Sequence, residues 1–500
     1  MRASLPVFLS AAIRILLGLS LSGTGALASA DTTEDPLVFE RCTIGDERIS
    51  LKARCATIAV SADPDDSASG TFDLAVATLP ARGRSSVSDP LVFIAGGPGQ
   101  SAREIYPSVA RAFRHANRDR DIILVDQRGT GGSGLLDCPA SSDPLGDEED
   151  LEGLAKQARE TAIACLESID VDPALYTTSV AIHDLDAVRQ AMGIEQWSLY
   201  GVSYGTRVAT HYARRFPEST RSLILDAVVP PGTPLGPDIA PLAQRSLSLI
   251  LARCAADTSC NEAFPDIESR TFSFIEQIEA EPIDVDWEDI ASGTLEQSRF
   301  TRADLAVSLR LLAYSAHGAS LIPSLLHDAI ENEHLAPLAR QAALQTRSLE
   351  TSLATGMHYA VVCTEDLPFM DTTQARAAAQ STFLGEAPLV ALQAACEAWP
   401  AGRIDDDFHS ELSLEIPTLV LSGEADPVTP PEYGERVVNM FENAAHIVNP
   451  GQGHMQLPLG CMPQVLAEFV QDLEAAAVSR DCLERLRPPP FFVDANGPLP

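Results

Sequence analysis

Basic side chains are scarce in this chain: 35 Lys and Arg stand against 70 Asp and Glu, a formal net charge of -35. So acidic a surface repels phosphate backbones and anionic lipid headgroups, which argues against a nucleic-acid binder and against stable membrane association. Metal and phosphate signatures are missing too. There is no C-x-x-C pair, no H-E-x-x-H and no Walker A sequence, so no metal and no cofactor is expected. Beyond residue 30 no apolar run approaches the ~20 residues that span a bilayer. Disorder is excluded by a composition that is 45% apolar and 21% charged.

Residues 1–30 read as a secretory signal peptide: Arg2 begins a basic region, residues 13–21 are mostly apolar, and "ALASA" supplies small residues before Asp31. The ten cysteines agree with a secreted or periplasmic destination, where disulfides persist. Sequence does not determine their connectivity. Pairing of sequential neighbours (42 with 55, 138 with 165, 254 with 260, 363 with 396, 461 with 482) would close five local loops.

Short Val, Ile and Leu runs at 72–79, 91–95, 122–125, 197–200, 223–225 and 418–421 read as strands, with amphipathic helices at 180–192 and 207–216 between them. Alternation of this kind implies an α/β fold: a mostly parallel sheet flanked by helices. It lapses over 232–407, an Ala- and Leu-rich stretch read as an inserted, mainly helical cap. The core then comprises 31–231 and 408–487, and 488–500 is an irregular tail.

"LYGVSYGTRVA" (199–209) places Ser203 between two glycines where a strand meets a helix. That is the setting of a nucleophile elbow, in which larger neighbours would collide in a strained turn. A serine nucleophile needs a base and an orienting acid, both downstream in this type of sheet. Asp426, in the loop after 418–421, is the candidate acid, with Glu424 and Asp226 as alternatives. His454, in "NPGQGHMQLP", is the candidate base, whereas His446 sits in an apolar stretch and reads as structural. The loop "GGPG" (96–99) offers the Gly97 N–H, which with the Tyr204 N–H would form an oxyanion hole. "GTGGSG" (129–134) mimics a dinucleotide fingerprint, with Asp150 about twenty residues on, but no apolar helical face follows it, so a nucleotide site is rejected.

"GGPG", "DQRGTGGS", "GVSYGT", "GEADPVTPP" and "GQGH", in this order, resemble the prolyl and tripeptidyl aminopeptidases among the α/β-hydrolases, and the secreted tripeptidyl type more closely. The resemblance spans roughly residues 40–485 and includes "YAVVCTED", Cys396 and Cys461. One departure is Ala95, where prolyl aminopeptidases usually carry His. The resemblance implies a Ser203, Asp426, His454 triad, a Gly97 and Tyr204 oxyanion hole, and peptide substrates with a free N-terminus. It also implies that acids of the cap, Glu365 and Asp366, hold the substrate ammonium group. An esterase on the same scaffold is the alternative within enzymes, and a noncatalytic binding protein is the alternative outside them.

Overall fold

The computed structural model describes residues 37–498 apart from 47, 84–86, 139–149, 291 and 495. The expected leader, residues 1–30, lies outside the described residues.

Among the described residues nine strands form one sheet in the order β1-β2-β3-β5-β4-β6-β7-β10-β11. β1 (Glu40–Gly45), β2 (Ser50–Asp63) and β3 (Asp66–Leu79) run antiparallel at one edge. β5 (Ile122–Val125), β4 (Leu91–Ile94), β6 (Trp197–Val202), β7 (Thr220–Asp226), β10 (Thr418–Gly423) and β11 (Ala444–Asn449) are parallel neighbours. The mostly parallel sheet expected from the apolar runs is therefore present, and an antiparallel edge is added to it.

Period-two alternation feeds two separate cores, one on each face. Val92, Ile94, Leu199, Leu223, Leu225 and Val420 point to one face, which is covered by α3 (Thr178–Ala191) and α4 (Tyr204–Arg215), and α2 (Leu151–Ser168) adds Ala162 and Cys165 to the same core. Leu91, Phe93, Tyr200, Ile224 and Leu419 point to the other, covered by α1 (Ala102–Val109) and the helix Met462–Asp472. Burial on both sides explains why the central strands are unbroken apolar runs.

Between β7 and β10 the chain leaves this sheet. It forms helices, of which Ile239–Ala256, Arg302–Leu312 and Ala336–Ser352 are long, and a hairpin of β8 (Ile283–Glu288) with β9 (Leu295–Phe300). This hairpin was not anticipated from sequence. The first part of the excursion has its own core around Leu247, Leu251, Phe300, Leu309 and Leu338. Its later part is divided: Ala379, Phe383 and Leu384 stay with that core, whereas Met357, Val361, Ala395 and Trp399 join the core beneath the sheet.

All ten cysteines pair, each with its sequential neighbour. Cys363 to Cys396 ties the turn carrying Glu365 to the helix Ala387–Ala398. No helix among the described residues is long and apolar enough to cross a membrane.

Candidate active site

β6 is buried along its whole length and delivers Ser203 at its end, with α4 starting at the next residue. Ser203 has φ 55° and ψ -127°, a conformation that costs an L-residue on the order of 1–3 kcal/mol and must be held by its surroundings. Three hydrogen bonds hold it: Ser203 N–H to the Asp226 carbonyl at 3.0 Å, and Thr206 N–H (2.9 Å) and Oγ1 (2.6 Å) to the Ser203 carbonyl. The flanking glycines are required by close approach. A Cβ on Gly201 would lie 2.3 Å from the Gly205 carbonyl oxygen, and one on Gly205 would lie 2.4 Å from that of Ile94.

The loops after β10 and β11 bring Asp426 and His454 together. His454 Nδ1 is 2.8 Å from Asp426 Oδ2, and the aspartate is fully buried. Asp426 also accepts the N–H groups of Val428 (2.8 Å) and Thr429 (2.9 Å) and the Thr429 hydroxyl (2.8 Å). Burial opposes its charge, but His454 and these donors outweigh burial and hold the carboxyl below its ordinary range. For His454, burial disfavours the imidazolium. The Asp426 carboxylate more than compensates, and the histidine titrates above its ordinary value.

Ser203 and His454 share a neighbour. The Asp226 carbonyl accepts Ser203 N–H, while its carboxylate accepts Gln456 and Leu457, just after His454. Among the described residues no hydrogen bond joins Ser203 to His454, and such bonds often tighten only with substrate bound. Of the alternative acids, Asp226 is spent on these backbone groups and Glu424 accepts Gly451 N–H, so Nδ1 of His454 is left to Asp426. His446 contacts Ser422 Oγ at 2.9 Å, away from this cluster.

The glycine loop packs on the elbow: a Cβ on Gly96 would lie 3.1 Å from Ser203 Cβ. Gly97 has φ +107° and lies under Leu353 of the insertion, whose Cδ1 would be 2.9 Å from a Cβ at Gly97. Ala354 N–H bonds the Gly99 carbonyl at 3.0 Å. Tyr204 opens α4, so its N–H is one of the first-turn donors with no acceptor inside the helix. The insertion also reaches the histidine: Tyr314 accepts His454 N–H at 2.7 Å, and the two rings are 5.1 Å apart.

Glu365 and Asp366 depart from expectation. Instead of lining an open cleft for an ammonium group, both are fully buried in a π-helical turn, Val362–Asp366. Asp366 forms a two-pronged ion pair with Arg207 (2.7 and 3.1 Å) and accepts Leu235 N–H at 2.6 Å. Glu365 accepts Thr178 N–H (2.6 Å), Thr178 Oγ1 (2.8 Å) and Arg207 Nη1 (3.3 Å). The physical reason is charge: Arg207, one turn after Ser203 on α4, is itself buried and needs these carboxylates. Burial pushes the Glu365 carboxyl up to about 7, against the pull of Arg207. Thr178 Oγ1 also meets the Tyr204 hydroxyl at 2.7 Å. Arg207 and Thr178 were not singled out from sequence, because their partners lie 158 and 187 residues away.

The rejected "GTGGSG" segment turns its donors inward. Asp126 accepts Gly132 N–H (3.0 Å), Ser101 Oγ (2.7 Å) and Arg103 N–H (3.0 Å), which makes the loop a brace for α1.

Fold and chemistry together define a serine hydrolase of the α/β-hydrolase class. Residues 89–256 match the alpha/beta hydrolase fold family, and residues 382–482 match the family described as TAP-like protein. The serine protease Hip1 of Mycobacterium tuberculosis is 25% identical over 471 residues, covering 87% of this chain and 89% of that protein. The tripeptidyl aminopeptidase of Streptomyces coelicolor is 30% identical over 220 residues, 41% of this chain and 40% of that protein. A probable proline iminopeptidase of the same organism is 31% identical over 139 residues, 28% of this chain and 32% of that protein. The resemblance read from the motifs thus extends to these relatives.

Proposed function

We propose that the chain is an exported serine exopeptidase that releases one or a few residues from the free amino terminus of peptides. The observation that carries this reading is the Asp426 to His454 hydrogen bond at 2.8 Å, with the His454 loop anchored to Asp226, the same residue that anchors the Ser203 elbow. His454 takes the Ser203 proton as Oγ attacks the scissile carbonyl, and Gly97 and Tyr204 N–H groups hold the oxyanion. The C–N bond breaks as His454 returns the proton to the leaving amine. Water then attacks the acyl-enzyme by the same route, regenerating Ser203.

The relatives named as aminopeptidases support the exopeptidase step, and the cap residues 353–354 seated on the glycine loop fit a restricted approach to it. A cleft of about 640 Å³ between α1 and the insertion, lined by Glu104, Ser108, Asp289, Arg340 and Ser352, the residue before Leu353 in the chain, is the proposed path for peptide. Five disulfides support export. Esterase activity is retained as a second reading because Glu365 and Asp366 bond Arg207 and are buried, which gives the expected ammonium role less support. Chromogenic substrates with free and blocked amino termini, set beside short-chain esters, separate the two. Turnover confined to free-amine peptides and lost in Ser203→Ala supports the exopeptidase, whereas preference for esters and blocked peptides contradicts it.

A further inference from the structure

We propose that Asp226 is a positioning residue that locks the Ser203 elbow and the His454 loop into one catalytic unit. The inference rests on the triad reading above and goes beyond it.

Asp226 ends β7 and is fully buried. Its carbonyl oxygen accepts Ser203 N–H at 3.0 Å and so helps hold the strained backbone of the elbow. Its carboxylate faces the other way, accepting Gln456 N–H at 2.7 and 2.9 Å and Leu457 N–H at 2.9 Å. The Tyr200 hydroxyl, three residues before Ser203 on β6, donates to Oδ2 at 2.7 Å. Gln456 in turn closes the histidine loop by donating from Nε2 to the Gly453 carbonyl at 2.7 Å. One residue therefore fastens the nucleophile from one side and the base from the other.

Every one of these partners is a donor, so the arrangement fits the ionised carboxylate. A protonated carboxyl would aim its own hydrogen at a donor. Burial pushes this carboxyl up to about 6, opposed by Tyr200, by the Gln456 and Leu457 N–H groups and by His454. The charged groups that bear on His454 are Asp426, Asp226 and, from the helix Arg302–Leu312, Arg310, with the Tyr314 ring against the imidazole. Asp226 thus acts on His454 by geometry and by charge. Acidification then removes two requirements, the neutral His454 and the ionised Asp226. The acid limb of kcat/KM should be steeper than loss of one proton allows.

The test uses the full chain and an activated ester, whose turnover requires only the triad. Asp226→Asn should lower kcat by about 10²-fold with KM little changed, as a displaced catalytic pair does. Its acid limb should fall to the slope of a single proton, a change that a merely structural anchor would not produce. Tyr200→Phe removes one donor to the carboxylate and should move the acid limb to higher pH. If Asp226→Asn does not fold by circular dichroism, the Tyr200→Phe profile decides, and an unshifted limb overturns the proposal. Wild-type kcat and profile in Asp226→Asn, with activity lost in Ser203→Ala, overturns it alone. Activity surviving in Ser203→Ala overturns the triad reading and this inference with it.

Discussion

At His454, the proposed base, two opposed effects bear on the working pH. Burial favours the neutral ring and Asp426 favours the charged one, with the net result above the ordinary value. A base must be neutral to act, so activity should fall as pH drops through a midpoint above ~6.5. Asp426→Asn removes the charge and misorients the ring. It should lower kcat by about 10⁴-fold and move the acid limb down, checked by kcat/KM between pH 5 and 9. Glu365 yields a stability prediction of opposite sense. Its folded pKa, about 7, lies above the 4.5 of a free glutamate, so its stabilising contribution is full below pH 4.5 and is lost as pH rises through 7. Gln stays neutral throughout. The Tm of Glu365→Gln minus that of the wild type should therefore rise between pH 4.5 and 7.5, by about 2 °C or more. A constant difference would contradict the assignment. The meeting of Asp426 with His454 was legible because glycines and prolines mark their two loops, and the strained turn at Ser203 because glycines flank it between strand and helix. Arg207 was not, since a buried cation in a helix declares itself only through partners far along the chain.

Elements were legible where both faces of a strand are buried. β5 matches its sequence reading at both ends, and β4, β6, β7 and β10 differ by one to three residues at an end. β1 and β2 were missed because they are half exposed and mix Arg, Lys and Ser among apolar residues. β11 reads from sequence only as an apolar stretch around His446, and the β8 and β9 hairpin was hidden within a helix-rich region. The junction of β6 and α4 tolerates little change. Gly205→Ala places a methyl 2.4 Å from one carbonyl oxygen and 2.6 Å from another, both backbone, so the strand and helix must separate. Overpacking of this kind should cost about 1–3 kcal/mol and lower activity further by displacing Ser203, read as Tm and as kcat on an activated ester. Wild-type values for both would contradict the close approach.

For the molecule as a whole, the buried charge cluster of Arg207 with Glu365 and Asp366 binds the insertion to the sheet, while the disulfides close local loops within the insertion or within the core. Each bridge spans 6 to 33 residues, and closures of that length contribute about 2–4 kcal/mol apiece in the chain-entropy account. Reduction under native conditions should lower Tm by well over 5 °C in sum, and mass mapping of unreduced peptides should return only sequential-neighbour bridges. Local spacing made that pairing readable, whereas the split of the insertion between two cores was not. Its later helices are as Ala-rich as its earlier ones, and only tertiary packing separates them.

The central claim is that Ser203 is the nucleophile and His454 its base. A fluorophosphonate probe, which bonds covalently to an activated serine, tests this most directly when the labelled peptide is sequenced by mass spectrometry. One adduct is expected, on Ser203, absent in Ser203→Ala and strongly slowed in His454→Ala. An adduct on another serine, or undiminished labelling of either variant, would contradict it.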